Sequence, residues 1–259
     1  MTRQDPTPLP LQYLGYGDES LTDEAIVYSV AIFSIEKQAA AEAALCEAKQ
    51  SVGLSTDDRI HCRSMFGNMA RAKTCWSKVE PKSITSMIER LCETLAAIQE
   101  RPFIFVAPRS WLNIAPLEPE GQPTSLDEKG IASIGFDGIH AHLFERYGYG
   151  AINVWIDPDS SKIPWFDGRR RQAHNTKGTF IDLGSHIEPP RISPKIGAPK
   201  THRLLEIADL YAYISVQATS KNGGWKNRWC RELLLTIEPE LLRFEPAPGT
   251  EQTILPRNR

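Results

Sequence analysis

The sequence predicts a mixed α/β fold, with helices packed on a central sheet. Three observations carry this. Residues 25–35 (AIVYSVAIFSI), 103–107 (FIFVA) and 151–157 (AINVWID) are short apolar runs rich in β-branched residues, which read as buried strands. Residues 83–100 place Ile84, Met87, Ile88, Leu91, Leu95 and Ile98 at helical spacing. Strand and helix patterns alternate along the chain, as they do when helices cover a sheet. At 259 residues the chain fits one domain with insertions over 11–245, between tails at 1–10 and 246–259.

The elements follow in order. Residues 11–17 form a first strand entering Asp18, and the short link to the second strand at 25–35 predicts an antiparallel hairpin. The alanine-rich stretch 36–51 is a helix that Gly53 ends. Residues 58–68 (DRIHCRSMFGN) form a loop or short helix. The helix at 83–100 stops before Pro102, and a strand at 103–107 follows. Residues 111–124 are a loop insertion rich in proline and glycine. Residues 125–147 are helical, with Ser125 and Glu128 at capping-box spacing. The strand at 151–157 ends in Asp157, and Pro158 closes it. An edge strand is expected at 187–192, because Pro189 and Pro190 cannot donate to a ladder. Lys195, Lys200 and His202 fall in the next loop, and helices are expected at 203–220 and 231–244.

Composition narrows the function classes. Hydrophobic residues are 41% and charged residues 24%, which excludes disordered and fibrous chains. No run reaches the roughly 18 apolar residues of a membrane span. The first ten residues lack the basic start and apolar run of a secretory signal. The five cysteines form no CxxC pair, which argues against a zinc ribbon or a disulfide framework. A reducing cytoplasm is the expected location. Net charge is −2, unevenly spread: residues 161–230 hold 12 Lys+Arg against 5 Asp+Glu, leaving 18 against 27 elsewhere. A basic segment in an acidic chain points to a polyanion partner or to a solvated face.

Three acidic positions fall where such a sheet builds a site, beyond strand ends. Asp18 and Glu19 follow the first strand, and Asp157 ends a later one. Asp209 sits in the otherwise apolar helix RLLEIADLYAYIS, with Glu206 one turn before it on the same face. Converging carboxylates repel one another and call for a divalent cation, for which Mg²⁺ and Mn²⁺ are the oxygen-preferring choices. Such ions serve phosphodiester cleavage. Taken singly, Asp18 and Asp157 also fit turns and Asp209 fits an ion pair.

With these acids in place the chain resembles a known family. Tyr16-Gly17-Asp18-Glu19-Ser20 resembles the opening Y-x-D-E-S of the bacterial domain-of-unknown-function 3800 family. Arg59-Ile60-His61-Cys62 with Phe66 resembles its E-[IL]-H-x segment, and Ile156-Asp157 its mid-chain strand. Residues 205–213 (LEIADLYAY) resemble its closing L-Q-x-A-D-L-x-A helix. The order holds over about 11–220. That family is placed in the ribonuclease H-like superfamily. The resemblance implies a mixed sheet of about five strands flanked by helices and a metal-dependent acidic site. Asp18, Glu19, Asp157 and Asp209 would be metal ligands or their neighbours, with His61 at the edge. Here Leu21 stands in place of glycine, Glu206 of glutamine (a further possible ligand), and Arg59 of an acid.

The expected activity is a Mg²⁺- or Mn²⁺-dependent nuclease or related phosphoryl-transfer enzyme acting on DNA or RNA. Asp18, Asp157, Glu206 and Asp209 are the candidate metal ligands. Glu19 and His61 assist, since an imidazole suits acid–base work near neutral pH. Arg169, Arg170, Arg171, Lys195 and Lys200 are the candidate phosphate contacts. Trp225 and Trp229 fit either base stacking or anchoring of the last helix. Cys62 beside His61 is a poor nucleophile pair, because adjacent side chains face apart. The alternative is a non-catalytic module of the same fold that binds nucleic acid or protein.

Overall fold

The computed structural model describes residues 9–109, 138–140, 142–143, 145–148, 150–156, 195–197, 201–221 and 223–242. Over these the chain is α/β, with a mixed sheet flanked by helices. The strands are β1 (Tyr13–Leu21), β2 (Ala25–Ser34), β3 (Glu100–Pro108), β4 (Ile152–Ile156), β5 (Lys195–Ile196) and β6 (Glu240–Leu242), in the order β5-β4-β1-β2-β3-β6. β2 runs antiparallel to β1 and β3, whereas β4 lies parallel to β1, β5 to β4 and β6 to β3. The helices are α1 (Gln38–Ser51), α2 (Cys62–Phe66), α3 (Asn68–Arg71), α4 (Pro81–Ile98), α5 (Leu205–Ala218) and α6 (Trp225–Ile237). The described residues between 138 and 147 are also mostly helical.

The β1–β2 hairpin is antiparallel as expected, but β1 continues past its predicted end. Asp18 pairs with Ser29 and Glu19 with Tyr28, so the acidic pair lies inside the strand. The chain turns only at Thr22, whose Oγ1 accepts the amides of Glu24 and Ala25. On its other edge β1 loses its partner earlier: the parallel ladder with β4 ends at Gly17 opposite Ile156. Gly17 is held to glycine by Tyr28 on the neighbouring strand, because a Cβ there would sit 2.3 Å from the tyrosine hydroxyl.

Pleating divides β1 between the two sheet faces. Tyr16 and the β2 residues Val27, Ala31 and Phe33 belong to the main core, together with side chains of α1, α4, α5 and α6. Eleven of the fourteen residues of α5 are buried, consistent with a helix that is apolar nearly all round. Ser29 Oγ donates to the Ala208 carbonyl at 2.9 Å and ties β2 to α5 beside Asp209. The side chain of Asn227 in α6 donates to the carbonyls of Gln217, Ala218 and Ser220 at the end of α5.

Several boundaries differ from expectation, each for a local reason. The helix predicted at 83–100 begins at Pro81, a proline at its first turn, and ends at Ile98. Pro102 lies within β3, at the irregularity between the Val30 and Ile32 pairings where no ladder donor is needed. Lys195 belongs to a short strand rather than a loop. The last helix, expected at 231–244, is α6 (Trp225–Ile237), which starts earlier and contains Trp225, Lys226 and Arg228. It ends at Glu238 with φ of 46°, and the chain then forms β6 where a helix to 244 was expected. The expected loop at 111–124, the edge strand at 187–192 and the C-terminal tail fall outside the described residues.

Candidate functional site

Two acids on α5 organise the site. The segment Arg59-Ile60-His61-Cys62 runs past the helix in extended form, with His61 at φ −140° and ψ 113°. In an extended chain alternate amides point to one side, and on a helix residues three apart share a face. The two periods meet here. The Ile60 amide donates to Glu206 Oε2 at 2.6 Å, and the Cys62 amide donates to Asp209 Oδ2 at 2.8 Å. His61 lies between the two clamped amides. Its carbonyl accepts the amides of Ser64 and Met65 and so starts α2, while its Nδ1 shares a 3.0 Å hydrogen bond with Ser64 Oγ.

Glu206 is anchored from behind by Lys49 of α1. The lysine is fully buried, with Nζ 2.9 Å from Glu206 Oε1, 2.8 Å from Oε2, and 3.2 Å from the Thr56 carbonyl. Burial pushes the Glu206 carboxyl above its ordinary range, against the pull of Lys49 and the Ile60 amide. Both Glu206 oxygens therefore have protein partners. The side chain does not line the adjacent cleft, unlike the metal-ligand position expected from the sequence.

The cleft has a volume of about 510 Å³. Glu19, Ser20, Leu21 and Thr22 of the hairpin form one wall, His61 to Arg63 with Phe66 and Gly67 a second, and Asp209, Tyr213, Val216 and Gln217 of α5 a third. Asp18 precedes the lining residue Glu19 and is itself buried rather than lining the cleft, with Oδ1 accepting the Glu19 amide at 2.9 Å. Asp18 and Asp209 come from distant parts of the chain, yet both act on the Cys62 thiol. Burial pushes that thiol well up, and Asp209, to which it is hydrogen-bonded, and Asp18 add to the effect. Cys62 is thus a protonated wall residue. Tyr28, on the opposite sheet face, is pushed up by burial and then by Glu19 and Asp18.

One wall is aromatic. Phe66 and Tyr213 stack with centroids 5.1 Å apart and planes 3° apart, and Trp229 meets Phe66 edge-on at 5.8 Å. Trp229 donates its indole N–H to Glu89 Oε1 at 2.8 Å, so it anchors α6. Lys226 Nζ lies 5.2 Å over the Phe66 ring.

The structure thus brings Glu19, His61 and Asp209 to one cleft, with Asp18 buried beside Glu19 and not lining it. Asp157, Arg169, Arg170, Arg171 and Lys200 lie outside the described residues, although Asp157 directly follows Ile156, the partner of Gly17. Lys195 is exposed on β5, with Nζ 5.5 Å over the Trp155 ring, and is not a lining residue. His140 is buried and His142 exposed, in keeping with their two-residue spacing on a helix. Lys49 and Arg63 were not singled out from the sequence, and Phe66 and Tyr213 entered only as members of the resembling motifs. The signal that could have found Lys49 is a lone lysine near the end of an alanine-rich helix.

Carboxylate oxygens are hard donors suited to Mg²⁺ or Mn²⁺. Among the described residues no group of three or more His, Cys, Asp or Glu is placed to hold a metal ion. Among the described residues no helix is long and apolar enough to cross a membrane. No family model matches the chain, and neither a curated protein nor a solved structure matches it.

Proposed function

We propose that this cleft is the active site of a divalent-metal-dependent nuclease, or a related phosphoryl-transfer enzyme, on a ribonuclease H-like sheet of the domain-of-unknown-function 3800 type. The observation that carries the reading is the meeting of Glu19 from β1, His61 and Asp209 from α5 at one cleft, with Asp18 buried next to Glu19. The mixed sheet with flanking helices and the ordered sequence motifs support it. Asp18 and Asp209, with Asp157 beyond the strand β4, would hold Mg²⁺ or Mn²⁺. Bound there, the ion would polarise a phosphate and offset the acids' mutual repulsion. The protein's own part is positional. The clamp of Glu206 and Asp209 presents His61 to the cleft, where its imidazole can accept or return a proton. Arg63 gives the same wall a cation for phosphate.

The test is cleavage of single- and double-stranded DNA and RNA in Mn²⁺ by the wild type and by Asp18→Asn. The proposal expects activity on at least one substrate and its loss in the variant. Equal activity in both proteins, or none on any substrate, would sink it.

A second reading is favoured by one observation: Glu206 and one oxygen of Asp209 are already used to hold residues 60–62. On this reading the same surface binds nucleic acid or protein without turnover. Salt-dependent binding that survives loss of Asp18 and Asp209, with no uptake of Mn²⁺, would support it. Metal-dependent turnover would exclude it.

A further inference from the structure

We propose that Trp225 and the cations around it form a stacking subsite for an unpaired nucleic-acid base, leading a single strand into the cleft. This rests on the nucleic-acid reading above and adds the substrate class to it. Trp225 opens α6 and is 58% exposed, whereas Trp76 is 1% and Trp229 8% exposed. An indole left in water forgoes the burial that usually keeps it in a core.

The ring is not isolated. Trp225 lies 6.2 Å from Trp229, Trp229 lies 5.8 Å from Phe66, and Phe66 stacks on Tyr213 at 5.1 Å. Phe66 and Tyr213 line the cleft, so a continuous aromatic path joins the exposed indole to the acids. Trp229 is the path's buried support. Trp225 is its one widely exposed member.

Charge selects the occupant. Arg228 is exposed and lies three residues after Trp225, on the same helix face. Lys226 covers Phe66. Residues 220–231 (SKNGGWKNRWCR) contain Lys221, Lys226, Arg228 and Arg231 and no Asp or Glu. Of the nearby acids, Glu24 accepts the Lys221 amide, Glu89 accepts the Trp229 indole N–H, and Glu232 is exposed one turn after Arg228, so the cations outnumber the acids around the ring. A flat apolar ring among cations fits a polyanion that carries flat apolar groups. A duplex keeps its bases paired and stacked, so only a single strand can offer one to Trp225.

The experiment is fluorescence anisotropy with labelled oligo-dT, the matching oligo-rU and a duplex of equal length, in EDTA so that metal-dependent cleavage is absent. The wild type should bind a single strand more tightly than the duplex, with quenching of tryptophan emission. Trp225→Ala should weaken single-strand binding by about 5- to 100-fold, from the usual worth of one stacked base. Trp225→Phe should keep most of the affinity, which separates loss of the ring from loss of fold. Leu235→Ser, at an exposed position of α6 outside the aromatic path, should bind like the wild type, and the EDTA keeps the outcome independent of whether the cleft cleaves. Equal binding by Trp225→Ala and wild type would overturn the proposal, as would equal affinity for the duplex. Failure of the wild type to bind any probe would also overturn it and leave Trp225 as a protein contact.

Discussion

Removing the Glu206 carboxylate should destabilise the protein more than removing it together with Lys49. In Glu206→Leu the Lys49 ammonium stays fully buried with the Thr56 carbonyl at 3.2 Å as its remaining contact of the three described. Breaking one side of a buried ion pair costs about 3–5 kcal/mol. The Ile60 amide also loses its 2.6 Å acceptor, and an unsatisfied buried donor costs about 1–3 kcal/mol. These terms overlap, so a loss of about 4–6 kcal/mol is expected. That is a large part of the 5–15 kcal/mol typical of a folded domain.

In Lys49→Met with Glu206→Leu no charge is left unpaired. Only the Ile60 term should remain, about 1–3 kcal/mol. Urea denaturation followed by far-UV circular dichroism measures both variants and Lys49→Met alone. The double variant should be more stable than Glu206→Leu by about 1–5 kcal/mol, the difference between the two expected losses. A loss below about 1 kcal/mol in Glu206→Leu would refute the reasoning. So would a double variant whose loss equals the sum of the singles. Lys49→Met with Glu206→Gln adds a local check. The amide oxygen of glutamine can still accept the Ile60 N–H, so the exchange of that amide should stay slow, and the ring signals of His61 should stay near their wild-type positions.

Other outcomes follow from the same structure. Burial raises Tyr16 and Tyr147 to about 12 and also pushes Tyr28, Tyr211 and Tyr213 well above the ordinary phenol value. A phenol with a raised folded value gives stability that is intact below the unfolded value near 10 and is lost as pH rises toward the folded one. Each should remove up to about 1.4 kcal/mol per pH unit above pH 10, so the urea midpoint should fall steeply there and stay flat for these groups from pH 7 to 9. Thiol titration of the native protein should reach Cys46 and Cys75 quickly and Cys62, Cys92 and Cys230 slowly, since the last three are buried, with all five reacting in denaturant. Gly17→Ala should cost about 1–3 kcal/mol through the clash with the Tyr28 hydroxyl, and Tyr28→Phe in the same chain should recover part of it, both read from thermal melts.

The parts of the fold legible in the sequence are those set by periodicity. The apolar run of β2 and the helical spacing of α4 place their elements within a few residues. What was hidden depends on partners far along the chain. β1 passes through Asp18 and Glu19 because Ser29 and Tyr28 are there to pair with them, and the turn waits for the Thr22 side chain. β6 exists because Phe103 to Phe105 offer it an edge, which no local pattern in residues 240–242 announces. Lys49 reads as a surface lysine until Glu206, packed against it from another helix, accounts for its burial.

The two acids of α5 show how a spacing can be read correctly and its purpose left open. Glu206 and Asp209 share a helix face, as an interval of three requires. A shared face suits two metal ligands, and it suits equally two acceptors for amides two residues apart in an extended strand. The sequence alone does not separate these uses, because the second depends on residues 60–62 arriving there. In the structure the interval serves the clamp: Glu206 is spent on Ile60 and Lys49, and Asp209 gives one oxygen to Cys62 while its carboxylate still lines the cleft. Asp209 is therefore the acid through which holding His61 and any chemistry in the cleft are joined. Replacing it with asparagine keeps an oxygen for the Cys62 amide but removes the charge. Asp209→Asn should then keep the fold, lose metal-dependent cleavage, and leave the slow exchange of the Cys62 amide unchanged. Cleavage retained alongside that amide protection would show that Asp209 serves the clamp alone.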